Sequence, residues 1–349
     1  MTITEAIKQT VEGRSLNAEQ AEAVLEQIMA GECSDAQIAA LLTALRMKGE
    51  TVEEIIGFAR VMRRRAAPVR PQRLVTSEIA GTEREALIDT CGTGGDVSGS
   101  FNVSTATALV VAGCGVRVAK HGNRSVSSQC GSADVVEALG VRIELEPRVI
   151  AACIDEVGIG FLHAPLLHEA MKHVAPARRQ MGIRTIFNML GPLTNPAGAD
   201  TQVIGVYAAP LTEMLAAALQ ALGSRRALVV HGSDGLDEIS ISADSLVTEL
   251  ADGALRTYTV TPEDFGLGRA PLEAIRGGDA RQNSAMILDI LNGGGGPRRD
   301  IVLLNAAAAL VAANRANDFT QGVRLAAEAI DSGKARAKLE RLIEFTNTH

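Results

Sequence analysis

The sequence predicts an α/β protein in which a small helical unit precedes a larger unit built on a mainly parallel sheet. Three observations carry this. Residues 1 to about 66 hold only helical apolar spacing and helix-start signals. From about residue 86, short apolar runs alternate with helical stretches, the pattern of strands joined by crossover helices. Residues 165–195 interrupt that alternation with a helical stretch and a Pro/Gly-rich loop.

Composition narrows the function classes. At 349 residues, two domains are favoured over one. The 46% hydrophobic and 21% charged content suits a soluble chain with a substantial core. Aromatics are 3%, Trp is absent and the net charge is −7, which argues against a base-stacking surface, a nucleic-acid partner or an anionic membrane. The five cysteines include no CxxC pair, so reduced thiols in a cytoplasmic protein are expected. The N-terminal residues show no basic region followed by an apolar run, so no signal peptide is expected, and no uncharged apolar run reaches membrane-spanning length.

Taken in order, Asn17 begins a helix with Ala21, Val24, Leu25 and Ile28 on one face. Ser34-Asp35-Ala36-Gln37 and Thr51-Val52-Glu53-Glu54 match capping boxes and start two more. Such short helices need a partner surface, either the rest of the chain or a second subunit. Arg63, Arg64 and Arg65 end the last of them, where cations suit the helix dipole. Pro68 and Pro71 mark a linker, and residues 73–86 read as an inserted surface loop. Strands are expected around Leu87, Val118, Phe161, Val203 and Leu228, with helices after Asn102 and Ser132 and across Leu211–Leu222. Residues 240–282 read as edge strands and loops, and the tail from Arg299 as two or three amphipathic helices. Ligands of such a sheet bind at the carboxyl ends of its strands.

Two loops at strand ends carry most of the chemistry. The first, Asp89-Thr90-Cys91-Gly92-Thr93-Gly94-Gly95-Asp96, runs through Ser100 to Asn102-Val103-Ser104-Thr105 at the start of a buried helix. Its glycines let the backbone approach a ligand, and Asn102 and Ser104 read as helix caps, so the stretch resembles a phosphate cradle. It has neither the dinucleotide fingerprint nor the P-loop spacing. Asp96 would repel a bare phosphate, which points to a sugar phosphate or a metal. The second loop, Lys120-His121-Gly122-Asn123-Arg124-Ser125-Val126-Ser127-Ser128, follows a strand and packs charge and hydroxyl donors suited to a phosphorylated ligand. Asp237 and Glu238 are adjacent carboxylates beyond another strand; beside a phosphate pocket they suit Mg2+, and taken alone they read as a solvated acidic turn. His121, His163, His168 and His231 show no metal-binding spacing, and Arg178-Arg179 alone reads as an exposed pair.

In family order, these blocks together with Gly191-Pro192-Leu193-Thr194-Asn195-Pro196 resemble the anthranilate phosphoribosyltransferase family over most of the chain. The resemblance implies the nucleoside phosphorylase/phosphoribosyltransferase type of fold. A helical domain, 1–85 with 165–195 returning to it, would join an α/β domain of residues 86–164 and 196–349. It also implies a homodimer through the helical domains, Mg2+ as cofactor, and anthranilate and 5-phosphoribosyl 1-pyrophosphate as substrates. Gly92, Gly95, Asp96, Ser100, Asn102, Val103, Ser104 and Thr105, the loop Lys120–Ser128 and Ser132 would hold the pyrophosphate substrate. Ser104, Asp237 and Glu238 would serve Mg2+; Gly92, Asn123 and Arg178 would contact anthranilate. No residue is implied as nucleophile or general base. Val97 and Ser100 depart from the glycine and threonine common in the family, and Glu169 from a common proline. A pyrimidine nucleoside phosphorylase and a nucleic-acid-binding relative of the same fold are the competing readings. The Asn102–Thr105 and Gly191–Pro196 blocks disfavour the first, and the acidic charge disfavours the second.

Overall fold

The computed structural model describes residues 1–72, 85–94, 98–125 and 129–349. Four helices open the chain: α1 (Ile3–Val11), α2 (Ala18–Met29), α3 (Asp35–Lys48) and α4 (Val52–Arg65). Each begins with a reciprocal capping box, on Thr2, Asn17, Ser34 and Thr51, which satisfies two otherwise orphaned N–H groups at each start. Gly57 allows α4 to press onto α2, because a Cβ there would lie 2.4 Å from the Ala18 carbonyl oxygen. The arginines closing α4 split by direction. Arg64 and Arg65 pair with Glu22 and Glu26, while Arg63 donates to the carbonyls of Leu193 (2.7 Å) and Leu222 (3.0 Å).

The larger part is a seven-stranded sheet among the described residues. Its strands are β1 (Leu87–Gly92), β2 (Arg117–Gly122), β3 (Ile159–His163), β4 (Thr201–Gly205), β5 (Arg226–Gly232), β6 (Ser245–Ala251) and β7 (Ala254–Val260), in the order β3-β2-β1-β4-β5-β6-β7. β3 through β5 are parallel; β6 and β7 turn antiparallel across Asp252-Gly253, both at positive φ as a tight hairpin requires. From β1 the chain winds outward through β2 and β3, then returns to lay β4 on the other side of β1. The carboxyl ends of β1 and β4 are therefore a topological switch point, where connections leave in opposite directions and a crevice opens.

Two large apolar clusters flank the sheet, and a smaller third gathers at Leu87, Ala119 and Leu162. One face is covered by α5 (Val103–Gly113), α6 (Ser132–Ala138) and, from the tail, α11 (Pro297–Ala312), α12 (Phe319–Asp331) and α13 (Lys334–Thr348). α7 (Pro147–Glu156) packs on β3. The other face, through Cys91, Ile204, Val206 and Val229, continues into α9 (Pro210–Ala221), the four opening helices and residues 174–193. Within that last segment lies α8 (Ala175–Met181). The opening helices thus find their partner surface within the chain, and among the described residues Met1, Val11, Met47 and Ile183 are large apolar side chains left exposed nearby. α10 (Ala280–Leu291), capped by Asp279, lies in and beyond a stretch read from the sequence as loop.

Candidate active site

Two glycines end β1 and β4 in register, Gly92 opposite Gly205. Their missing side chains are filled by Asp237. A Cβ on Gly205 would sit 1.5 Å from the Asp237 carbonyl oxygen, and one on Gly92 would sit 2.4 Å from its Oδ2. The Gly94 N–H donates to that same Oδ2 at 3.0 Å, so the glycine loop closes around the carboxylate. Asp237 and Glu238 are held there from both sides. Before them, Asp234 accepts from Leu236 N–H and the hydroxyls of Ser240 and Ser242. After them, the buried Asn305 of α11 clamps both main-chain groups of Ile239, at 2.9 and 3.1 Å.

Asn102 occupies the N-cap position of α5, but its side chain does not cap the helix as the sequence suggested. Ser104 stands inside the first turn instead. Its hydroxyl is 3.4 Å from Lys120 Nζ, and its carbonyl accepts from the Thr90 hydroxyl at 3.1 Å. Lys120 is buried at the end of β2, where Nζ donates to the Thr90 carbonyl at 2.6 Å. Nearby Asp89 is fully buried, and accepts from His121 N–H at 3.2 Å and Asn195 Nδ2 at 2.8 Å. Burial pushes its carboxyl up, opposed by the charge of Lys120 and by these hydrogen bonds. Asn195 also donates to the Ala119 carbonyl, pinning the 191–196 turn across β1 and β2. Sequence reasoning assigned Asp89 and Asn195 no task; a carboxylate inside an apolar strand is itself the signal, because it needs a buried partner.

The second loop is fastened to α6. Gly122 makes room for Ser132 Oγ, which accepts from Asn123 N–H at 3.2 Å. Asp134 accepts from the N–H groups of Ser125 and Gly131. Arg124 pairs with Asp134 and Glu137, which ties the loop to α6. Val103 is a buried apolar side chain with only its main chain to offer, and Thr105 is buried with Oγ1 unpartnered among the described residues. Ser100 bridges to Arg276. Gly95, Asp96, Val126, Ser127 and Ser128 lie outside the described residues, as do Val97 and most of 73–86.

Arg178 and Arg179 separate by burial. Arg179 is exposed; Arg178 is half-buried, with its guanidinium carbon 5.4 Å from the Phe187 ring centre and no ion pair among the described residues. Burial pushes the Arg178 guanidinium down. Phe187 belongs to the apolar cluster that includes Cys91, Ile204 and Val206, which joins this helix to the strand ends. The ring of His121 packs on that of His168, 5.3 Å between centres. Burial pushes His121 down to about 3 and His168 down to about 4, so both are neutral near pH 7. Glu169 pairs with Lys172 at 2.8 Å in a single 3-10 segment, which replaces the helix start a proline would give.

Residues 84–336 match the family model for the a/b domain of a glycosyl transferase family, and residues 4–66 match its helical bundle domain. The chain is 57% identical over 341 residues to the anthranilate phosphoribosyltransferase of Symbiobacterium thermophilum, covering 98% of this chain and 97% of that one. It is 55% identical to that of Geobacter sp. (strain M21), covering 99% of each. Its fold is similar to the crystal structure of the Thermus thermophilus enzyme, with a TM-score of 0.90, 45% identity and 98% and 99% of the two chains covered. The Saccharomyces cerevisiae enzyme in complex with PRPP and Mg is similar at a TM-score of 0.88 and 26% identity, over 99% and 98%. With both family models, near full-length relatives and the geometry of the switch point in agreement, the chain belongs to the anthranilate phosphoribosyltransferase family.

Proposed function

We propose that this chain transfers the phosphoribosyl group of 5-phosphoribosyl 1-pyrophosphate to anthranilate, giving N-(5-phosphoribosyl)anthranilate and pyrophosphate, a step of tryptophan biosynthesis. The observation that carries the reading is the switch point itself. There a glycine loop, an uncapped helix start and an acidic pair meet at the ends of β1 and β4. Uncapped first-turn N–H groups favour an anion. Gly92, Gly95, Asp96, Ser100 and Asn102–Thr105 hold the pyrophosphate substrate from one side, and Lys120–Ser128 with Ser132 from the other.

Asp237 and Glu238 supply hard oxygen donors, and the paired glycines leave the Asp237 carboxylate room at the strand ends. This set fits Mg2+, which takes one or two carboxylates and completes its shell with substrate oxygens and water. Asp237, Glu238 and Ser104 would hold the ion, whose chemistry is to neutralise charge on the departing pyrophosphate. The chain's own residues do the rest. Lys120 and the start of α5 stabilise the negative charge that grows as the bond at the ribose C1 breaks. Arg178 binds the anthranilate carboxylate, with Gly92 and Asn123 beside the ring. The aryl amine is already neutral near pH 7, so positioning replaces a general base, and no residue acts as nucleophile.

The helical part, 1–85 with 165–195, carries Arg178; the α/β part, 86–164 and 196–349, carries the pyrophosphate loops. A homodimer forms through the opening helices, where Val11 and Met47 remain exposed; sedimentation at micromolar concentration gives a dimer, and a monomer contradicts it. The protein works in the cytoplasm, consistent with five free cysteines and with no helix of the described residues able to cross a membrane. Loss of anthranilate fluorescence, dependent on 5-phosphoribosyl 1-pyrophosphate, tests the function. Phosphorolysis of a pyrimidine nucleoside without that loss would favour the phosphorylase reading instead.

A further inference from the structure

The N-cap of α5 is withheld, and the withholding has a structural cause. An Asn at this position ordinarily accepts from a first-turn N–H of its helix. The Asn102 carboxamide is turned elsewhere, with one of its two N–H donors left over. Its Oδ1 accepts from Asn283 Nδ2 at 2.9 Å and from Cys130 Sγ at 3.4 Å, and its Nδ2 donates to the Cys130 carbonyl at 3.3 Å. Asn283, in the first turn of α10, is buried, and its own Oδ1 accepts from Gly278 N–H at 2.7 Å. Behind it the segment 275–278 straps the glycine loop. Phe101 N–H donates to the Ile275 carbonyl and Gly277 N–H to the Gly99 carbonyl, with Gly277 pressed so close that a Cβ would lie 2.7 Å from Phe101 Cα.

We infer that Asn283 is a positioning residue for the pyrophosphate site, a part that rests on the proposed function. It holds the Asn102 side chain out of the capping position. The first-turn N–H groups of Ser104 and Thr105, one of which a capping Asn would take, stay free of a side-chain cap and face a phosphate oxygen of the ligand. Asn102 keeps the orientation in which it meets the substrate. Without the hydrogen bond from Asn283, the Asn102 carboxamide can rotate onto α5 and occupy the donor that the ligand needs.

Steady-state kinetics on Asn283→Ala and Asn283→Asp test this. The Asp variant keeps an acceptor for Gly278 N–H and replaces the amide donor to Asn102 with a carboxylate oxygen, so it serves should the Ala variant fail to fold. Each is expected to raise the KM for 5-phosphoribosyl 1-pyrophosphate about ten-fold, with the anthranilate KM within about two-fold of wild type. Asn102→Ala has no side chain to swing, so adding Asn283→Ala to it should change that KM by less than about two-fold. Additive losses in this cycle, equal rises in both KM values, or wild-type kinetics in the Asn283 variants would overturn the assignment alone. A wild-type chain that consumes no anthranilate would overturn the function and this inference together.

Discussion

Arg178 and Arg179 are neighbours in one short helix, and only their surroundings tell them apart. Arg178 lies half-buried against Phe187 with no carboxylate partner among the described residues, and Arg179 faces solvent. A guanidinium so placed is ready for an external carboxylate. Arg178→Ala should raise the anthranilate KM far more than that of the pyrophosphate substrate. Losing a charge-assisted pair costs about 1.5–3 kcal/mol, roughly ten- to a hundred-fold. Lys at 178 should rescue only partly, because an ammonium cannot reproduce the two-pronged fork. Arg179→Ala should change little. If it proves the more damaging, the carboxylate is bound elsewhere on this helix. Lys120 shows a different kind of placement. It is buried among main-chain carbonyls and a hydroxyl beside Asp89, and so brings a fixed charge to the strand end without a flexible reach.

At the level of elements, the site depends on how closely two strands approach one turn. Gly205→Ala places a methyl group 1.5 Å from a main-chain oxygen of Asp237, and neither side is a flexible side chain. Strand or turn must shift, so turnover should fall at least about a hundred-fold, and the strain should cost about 1–3 kcal/mol of stability in a melting experiment. Gly268→Ala, where the added methyl meets nothing within 4 Å, is the control and should behave as wild type. This contact also marks where sequence reading stops. The helices of the first part were legible because their caps and apolar spacing are local; the boxes on Ser34 and Thr51 stand where expected, and Asn17 begins its helix as read. The parallel strands were legible as apolar runs, although β1 continues through Gly92, into residues that read as loop. The match of Gly92 to Gly205 spans more than a hundred residues and depends on a third segment. No local pattern encodes it. The bond between Asn102 and Asn283 is invisible for the same reason, and the cap it removes is what local chemistry would have assigned to Asn102.

For the whole molecule, the buried histidines link stability to pH. His121 and His168 have an ordinary value of 6.5 and are pushed by burial to about 3 and about 4. Below pH 6.5 the unfolded chain takes up protons that these folded rings refuse. Stability is therefore undiminished above that pH and declines as the pH falls toward 4, by up to about 1.4 kcal/mol per pH unit for each ring. Denaturant titrations at pH 7.5 and 5.0 should show this loss, and His168→Leu should make it shallower; an unchanged slope would mean that the ring is protonated in the folded protein. Both clusters meet at one sheet, so a large loss of stability would carry the site with it, whereas changes at the acidic pair should not. That separation allows the most direct test of the account, which is anthranilate consumption measured across a Mg2+ titration for wild type and for Asp237→Asn with Glu238→Gln. Wild type should saturate with the ion, and the double variant should lose at least about a hundred-fold in turnover while its melting temperature stays close to wild type. Near wild-type turnover by the double variant at every Mg2+ concentration would contradict the assignment of the metal, and with it the claim that the ends of β1 and β4 form the reacting centre.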